Sequence, residues 1–262
     1  MKKGAQAWTV REFLSDTTQV RETFKKIADI GYDSVQAWPP SFMSSQELQD
    51  ILQENGLVNC SGGGEFEELR SNPEAVGKAI NNARVFNSRY IGVGTLPEEY
   101  RFTRDGYKKF AYALNEIAAE LKKDGSALIY HHHALEFISF GGGVNGMEIL
   151  AAETDPEGVN WTLDTHWLAS AGVDLVYWID KLKGRLPIIH FKDYGIGSGT
   201  ELIEGVTKTF AEVGEGNIHW QPVVEACRNA GVEYVIVEQD ICPGDPFDSL
   251  KISYENMIKL GV

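Results

Sequence analysis

The feature that most constrains the fold is an alternation of short apolar segments with longer amphipathic segments, repeated eight times along the chain. The short segments are mostly apolar at successive positions, which is typical of parallel strands that are covered on both faces. The longer segments repeat apolar residues at intervals of three and four, as helices do. The pattern predicts strands at Gly4–Trp8, Ser34–Trp38, Leu57–Ser61, Tyr90–Gly94, Ala127–His131, Asn160–Asp164, Pro187–Phe191 and Tyr234–Glu238.

Helix boundary signals support this alternation. The clearest helix carries apolar residues on one face and Lys and Glu on the other, and its apolar face consists of Tyr107, Phe110, Ala111, Leu114, Ile117, Ala118 and Leu121. Ser44 and Glu47 have the spacing of a capping box, and Asn72 before Pro73 indicates a helix start. Helix ends are predicted at Gly31, Gly56, Gly184 and Gly231.

Eight such strand–helix units in 262 residues are what a (β/α)8 TIM barrel requires. No linker rich in Pro or Ser divides the chain, so we expect one domain over residues 1–262. The alternative is an open, doubly wound sheet, which would begin with a glycine-rich turn after its first strand. The first predicted strand is followed instead by Thr9-Val10-Arg11-Glu12, so the barrel is favoured.

Composition narrows the classes of partner. The chain has 24 Lys and Arg residues against 38 Asp and Glu residues, a net charge of −14 at pH 7, and such a surface repels nucleic acid. No run approaches the roughly 18 apolar residues of a membrane span, so we expect no membrane partner and a cytoplasmic location. The chain has an odd number of cysteines, and they are far apart in the sequence: Cys60, Cys227 and Cys242. This arrangement predicts reduced thiols rather than disulfides or a thiolate zinc site.

Metal-capable side chains recur at the carboxyl ends of the last four predicted strands, where barrel enzymes place reacting groups. Each follows three apolar or aromatic residues, with Thr162 the one polar interruption, and the four are His131, Asp164, His190 and Glu238. A single His or Asp at a strand end usually hydrogen-bonds a loop. Four in register instead predict one divalent ion, such as Mn²⁺, Zn²⁺ or Co²⁺, whose charge two carboxylates balance.

Neighbouring residues predict a substrate site around this ion. Strand alternation places His133 with His131 and turns His132 away, so His133 is a catalytic candidate and His132 either packs in the core or supports the ligands. Lys192 could stabilise a developing oxyanion, or it could form a salt bridge with Asp193 or a rim carboxylate. Glu238 or a nearby carboxylate is the candidate base. The predicted substrate-binding residues are His166, Trp8 and Asp240.

Two glycine-containing segments carry weaker signals. Gly195–Thr200 follows the seventh strand but lacks a phosphate-binding pattern, so we expect a flexible rim loop. Gly214–Asn217 is predicted to be a turn before a helix.

Five segments resemble the sugar phosphate isomerase/epimerase family, whose members have the xylose isomerase-like TIM barrel. The segments are Tyr130-His131-His132-His133-Ala134-Leu135-Glu136-Phe137, Leu163-Asp164-Thr165-His166-Trp167, Ile189-His190-Phe191-Lys192-Asp193, Val213-Gly214-Glu215-Gly216 and Val237-Glu238-Gln239-Asp240. The similarity runs from Ala5 to the C-terminal helix. Because the superfamily also contains inosose dehydratases, lyases and endonuclease IV, the motifs indicate the fold and the metal more sharply than the substrate.

The resemblance also implies roles for single residues. Family epimerases hold their metal with Glu, Asp, His and Glu, and Asp164, His190 and Glu238 match the last three. His131 stands where many members have the first Glu, and this resembles a subgroup that reads Tyr-His-Asn-His. Glu136 resembles a family Glu that contacts the substrate, or else it is a loop salt-bridge partner. Further departures are Gln36 and Gly62-Gly63-Gly64, where subgroup members tend to carry Glu and His.

These observations lead to a metal-dependent isomerase or epimerase that acts on a sugar, cyclitol or keto-sugar through an enediolate. A dehydratase or lyase on the same scaffold is the close alternative, because the same intermediate can expel a leaving group. A different class is a sugar-binding barrel without turnover, which would be expected to lose a ligand. A nuclease would need further metal ligands and a basic groove. The sequence leaves the oligomeric state open, including a homo-oligomer.

Overall fold

The strands form a parallel barrel with helices outside it. The computed structural model describes residues 1–200 and 205–262. Nine strands pair in parallel in the order β3-β2-β1-β11-β8-β7-β6-β5-β4. Their bounds are β1 Lys2–Gln6, β2 Ser34–Gln36, β3 Val58–Asn59, β4 Gly62–Gly63, β5 Tyr90–Val93, β6 Ala127–His131, β7 Val159–Asp164, β8 Ile188–Phe191 and β11 Tyr234–Val237. Because β3 and β4 are two pieces of the third position, the barrel has eight positions and nearly closes.

Ten α-helices lie in the described residues, and their order follows the predicted alternation. Their bounds are α1 Thr17–Ile30, α2 Ser45–Glu54, α3 Phe66–Ser71, α4 Pro73–Val85, α5 Arg104–Lys122, α6 Gly146–Glu153, α7 Thr165–Ser170, α8 Leu175–Lys181, α9 Trp220–Ala230 and α10 Pro246–Lys259. The capping box at Ser44 and Glu47 is present, and Asn72 caps α4 with Pro73 in its first turn. All seven predicted apolar residues of α5 are buried.

The predicted barrel is therefore confirmed, with small shifts at the strand ends. All eight predicted strands are present, and the first begins two residues earlier than expected, so that Trp8 lies in a 3-10 turn after β1. Gly4 shows how closely the strands approach one another. A Cβ atom there would lie 2.4 Å from Ile236 Cδ1 and 2.7 Å from Ser34 Oγ, so glycine is required between β11 and β2.

The predicted rim loop at Gly195–Thr200 is wrong for most of its length. Strand β9, Asp193–Ser198, pairs antiparallel with β10, Val206–Ala211, in a hairpin that follows β8. The glycines suggested a loop, but the partner strand alternates Val206, Lys208 and Phe210 with two threonines, a composition that favours an extended ribbon. In the described parts of the chain, none of the helices combines the length and apolarity needed to cross a lipid bilayer.

Candidate metal centre

Four side chains from neighbouring strands converge at the carboxyl end of the barrel. Each of His131, Asp164, His190 and Glu238 offers one ligand-capable atom, and these atoms lie within 4.8 Å of one another. Strands β6, β7, β8 and β11 are consecutive neighbours in the sheet, and Asp164 pairs directly with His190. The structure thus brings together the four residues that the sequence singled out as ligands.

Two buried polar atoms in this cluster have no hydrogen-bond partner, namely His131 Nε2 and Asp164 Oδ2. They lie 3.5 Å apart. His190 Nδ1 lies 3.1 Å from Glu238 Oε2 and 3.8 Å from Asp164 Oδ2. Leaving buried polar groups unpaired is costly, and imidazole nitrogen with carboxylate oxygen is a donor set that suits Zn²⁺, Mn²⁺ or Co²⁺. The residues present therefore fit a divalent ion.

Lys192 adds a positively charged side chain to this cluster of imidazoles and carboxylates. Its side chain is 1% exposed, and Nζ lies 3.0 Å from Asp164 Oδ2, 2.7 Å from Glu238 Oε2 and 2.7 Å from Asp240 Oδ2. Burial opposes the ammonium charge, but the three carboxylates outweigh burial and raise the pKa of Lys192 above its usual range. The salt-bridge partners of Lys192 are therefore the rim carboxylates rather than Asp193.

The Lys192 ammonium in turn lowers the pKa of two neighbouring carboxyl groups, those of Asp164 and Glu238. Burial favours the protonated acid in both Asp164 and Glu238, but Lys192 and the nearby imidazoles hold the pKa of each carboxyl well below its usual value. One positive charge against three carboxylates leaves this cluster at −2. A divalent ion bound here would balance this charge.

The three consecutive histidines do different things. His131 faces the cluster, whereas His132 Nε2 accepts a hydrogen bond of 3.1 Å from the backbone N–H of Asp164. The His133 ring lies 4.7 Å from the His131 ring and 5.5 Å from the Trp167 ring, between centroids. Burial lowers the pKa of His132 to about 4 and that of His133 to about 3, so both rings are neutral near pH 7.

Glu136 lies behind this segment, and both of its oxygens are engaged within the protein. Oε2 accepts a hydrogen bond of 2.9 Å from the backbone N–H of His133, and Oε1 accepts one from the Tyr130 hydroxyl. Burial raises the pKa of Glu136 to about 7. A contact with substrate stays a prediction for this residue, which is fully buried.

The other predicted substrate-binding residues surround the cluster. His166 is buried, stacks on Phe210 of the hairpin with centroids 4.3 Å apart, and its Nδ1 lies 2.9 Å from the carbonyl oxygen of Asp193. Trp8 is 42% exposed, with the Arg11 guanidinium 4.6 Å from its ring. Asp240 reaches the cluster through Lys192. Their contacts with substrate stay predictions.

Sequence reasoning missed the role of Asp193. Its carboxylate accepts hydrogen bonds from the backbone N–H groups of Gly214, Gly216 and Ile218 and from Trp220 Nε1, at distances of 2.6–3.2 Å. A Cβ atom at Gly216 would lie 2.3 Å from Asp193 Oδ1. The turn predicted at Gly214–Asn217 thus wraps around the residue that follows Lys192. The repeated glycines were the signal for such a close approach.

It also missed Gln6, and it noted Gln36 only as a departure from the family pattern without its contact to His190. Gln36 Oε1 lies 2.6 Å from His190 Nε2, and Gln6 Nε2 donates to the same oxygen at 2.7 Å. Gln6 and Gln36 are direct partners on β1 and β2. The available signal was a polar residue of the same type at the end of each of two adjacent strands.

The nearly closed parallel barrel and the cluster at the carboxyl ends of its strands define a (β/α)8 barrel with a candidate metal centre. The family model for the xylose isomerase-like TIM barrel matches residues 24–253. The chain therefore belongs to the xylose isomerase-like TIM barrel family, as the motif resemblance implied.

Similar proteins are named as enzymes of sugar and cyclitol chemistry. The inosose dehydratase of Lacticaseibacillus casei is 29% identical over 161 residues, which cover 56% of this chain and 52% of that protein. The inosose dehydratase of Mesomycoplasma hyopneumoniae (strain 7448) is 32% identical over 165 residues, which cover 57% and 53%. The chain spans about half the length of these curated relatives.

Solved structures share the fold over nearly the whole chain. A sugar phosphate isomerase/epimerase from Parabacteroides distasonis has a TM-score of 0.79 and 19% identity, covering 98% of this chain and 93% of that one. The IolI protein, whose structure contains a zinc atom, has a TM-score of 0.71 and 15% identity, covering 99% and 98%. At these identities the likeness shows the fold.

Proposed function

We propose that the protein is a divalent-metal-dependent isomerase or epimerase that removes a proton beside the carbonyl group of a sugar, cyclitol or keto-sugar. The observation that carries this proposal is the four-residue cluster, in which the buried His131 Nε2 has no hydrogen-bond partner and Asp164 Oδ2 has only the ion pair with Lys192. The family, and the sugar phosphate isomerase/epimerase among its structural neighbours, support the proposed substrate class.

His131, Asp164, His190 and Glu238 would hold the ion. When bound there, a divalent ion supplies a Lewis acid for a substrate oxygen. Each ligand must offer its unprotonated form, and the low pKa values of Asp164 and Glu238 keep both carboxylates ionised at neutral pH.

Glu238 is our candidate base. Lys192 keeps the Glu238 carboxylate ionised and able to accept a proton, but the same ammonium makes it a weak base. His133 is a second candidate for moving a proton, because its neutral imidazole can both accept and donate. Lys192 remains protonated and can stabilise negative charge that develops on the substrate.

Dehydration of an inosose or keto-sugar is a second candidate function, with about equal support. The relatives of highest identity described above are named inosose dehydratases. In addition, His131 places an imidazole where a second carboxylate base would be needed for symmetric epimerisation. If a proton leaves from one side and cannot return from the other, loss of a hydroxyl at the next carbon becomes the favoured outcome.

The test is incubation of the metal-loaded protein with inosose and with a ketohexose in deuterated water. Deuterium at a carbon-bound position of recovered or epimerised sugar supports the isomerase or epimerase, and a product lighter by one water supports the dehydratase. Glu238→Gln should slow either reaction, whereas Glu225→Gln, at an exposed position on α9, should not. Absence of exchange and of product with a bound ion would indicate a sugar-binding barrel without turnover.

A further inference from the structure

A relay of hydrogen bonds crosses the first three strand positions and ends on His190. The backbone N–H of Trp8 donates to Gln6 Oε1 at 3.4 Å, and Gln6 Nε2 donates to Gln36 Oε1 at 2.7 Å. Gln36 Nε2 donates to Ser61 Oγ at 2.9 Å, and His190 Nε2 lies 2.6 Å from Gln36 Oε1. Side chains from β1, β2 and the β3–β4 connection thus meet a residue of β8.

The first hydrogen bond of this relay determines which group donates and which accepts in the bonds that follow. A backbone N–H can only donate, so Gln6 turns its oxygen toward Trp8 and its NH₂ group toward Gln36. Gln36 must then present its oxygen to both Gln6 and His190. An amide oxygen can only accept, so Nε2 of His190 carries the hydrogen.

The opposite ring nitrogen faces the candidate metal centre. His190 Nδ1 lies 3.1 Å from Glu238 Oε2 and 3.8 Å from Asp164 Oδ2. In a neutral imidazole with its hydrogen on Nε2, the lone pair available to a metal lies on Nδ1. The acceptor on one side of the ring therefore determines which nitrogen is offered on the other.

We propose that Gln36 is a positioning residue of the metal centre, which selects the Nε2–H form of His190 and aims Nδ1 at the ligand cluster. The inference rests on the proposed metal-dependent function. Groups that hold the second nitrogen of a metal-binding imidazole fix its tautomer and its orientation.

In the metal-free cluster, the Gln36 amide accepts from His190 without adding charge. The cluster already carries a charge of −2 from Lys192 and three carboxylates. A carboxylate at Gln36 would add a further negative charge beside His190, whereas the amide supplies an acceptor without charge. Gln6 and Ser61 are buried, so their polar groups also need the partners that Gln36 provides.

The first test is metal affinity, measured by competition with a chromophoric chelator for Zn²⁺ and Mn²⁺. Gln36→Leu should weaken binding about 10- to 100-fold, and Gln6→Leu should weaken it less because Gln6 touches His190 only through Gln36. Gln36→Glu restores an acceptor and should bind more tightly than Gln36→Leu. The control is Gln49→Leu on α2, another buried glutamine, whose Oε1 has no partner in the described chain.

The second test reads the His190 ring by ¹⁵N NMR of the metal-free protein. The wild type should show hydrogen on Nε2, where Gln36 accepts it. In Gln36→Leu the Glu238 carboxylate is the remaining acceptor of the ring, so the hydrogen should lie on Nδ1 and the Nε2 signal should be that of an unprotonated nitrogen. Unchanged metal affinity in Gln36→Leu, or hydrogen on Nδ1 alone in the wild type, would overturn the inference. A wild type that binds neither ion would overturn the proposed function, while the NMR signals would still decide the role of Gln36.

Discussion

The two halves of the barrel rim are built from different chemistry. Strands β6, β7, β8 and β11 contribute imidazoles, carboxylates and an ammonium that lie within a few ångströms of one another. The first strand positions contribute uncharged groups instead, namely Gln6, Gln36, Ser61 and the glycines that follow. The contrast separates two tasks, because charged groups can bind an ion and move protons, whereas neutral amides orient them without adding charge.

The largest effect should come from removing a shared carboxylate of the charged half. Asp164→Ala should weaken metal binding by more than about 100-fold. This loss is larger than the one expected for residues that contact a metal ligand rather than the metal. Asp164 also caps α7 by accepting from the Trp167 N–H, so Asp174→Ala, which removes the equivalent cap of α8, serves as the control. Asp174→Ala should lose about 1 kcal/mol of stability and no metal affinity. Normal metal content in Asp164→Ala would show that the charged half is not a metal centre.

Replacing Lys192 should test whether its ammonium group stabilises the charged half of the rim. Lys192→Met leaves Asp164, Glu238 and Asp240 without their common partner, and we expect the free energy of unfolding to fall by about 3–5 kcal/mol. Saturating Zn²⁺ should restore part of that loss. Lys181→Met breaks the ion pair with Glu148 near the surface and should cost less than about 1 kcal/mol. If denaturant titrations gave equal losses of unfolding free energy for the two variants, Lys192 would stabilise the protein no more than an ion pair near the surface does.

The pH dependence of the unfolding free energy should distinguish Glu136, whose pKa is raised, from Asp164 and Glu238, whose pKa values are lowered. Burial raises the pKa of Glu136 from 4.5 to about 7, so the native state keeps this proton to a higher pH than the unfolded chain does. Its contribution to stability is therefore present below about pH 4.5 and is lost as the pH rises through 7.

Glu136→Gln should remove this dependence. The unfolding free energy of the variant relative to wild type should rise between pH 4.5 and 7, by at most about 1.4 kcal/mol per pH unit. Glu116→Gln, at an exposed position of α5, should give a flat difference over the same range. Parallel curves for Glu136→Gln and wild type would mean that this carboxyl titrates normally.

The smallest effect is expected in the neutral half, at Trp8. Its exposed ring can pack against the C–H surface of a sugar, so Trp8→Ala should raise KM about 2- to 10-fold with little change in kcat. Metal affinity should not change. Tyr112→Ala removes an exposed aromatic ring from α5, away from the rim, and should leave KM unaltered. A large fall in kcat for Trp8→Ala would give this half a direct part in the chemistry.

The charged half could be predicted from the sequence because its residues follow a local rule. His131, Asp164, His190 and Glu238 each end a short apolar strand, and parallel strands bring their carboxyl ends to one rim. Strand periodicity also separated His131 from His132. The convergence of these four side chains follows from pattern and topology together.

The neutral half could not be predicted in this way. Gln6 and Gln36 are ordinary polar residues in the sequence, and their effect depends on hydrogen bonds to a residue of β8. Asp193 was hidden for the same reason, because its partners lie in a turn more than twenty positions later. The hairpin was missed since its glycines resemble a loop until the pairing of β9 with β10 is known.

The bond between His190 and Gln36 joins residues 154 positions apart, and Lys192 reaches Asp240 across 48 positions. His190 and Gln36 become neighbours only once β1 joins β11 to β2, whereas Lys192 and Asp240 follow the directly paired strands β8 and β11. Contacts of such separation form late in folding, so an ion at the centre cannot guide the early steps. Metal should therefore slow unfolding and leave the folding rate unchanged, which makes the ion a determinant of how long each folded molecule survives.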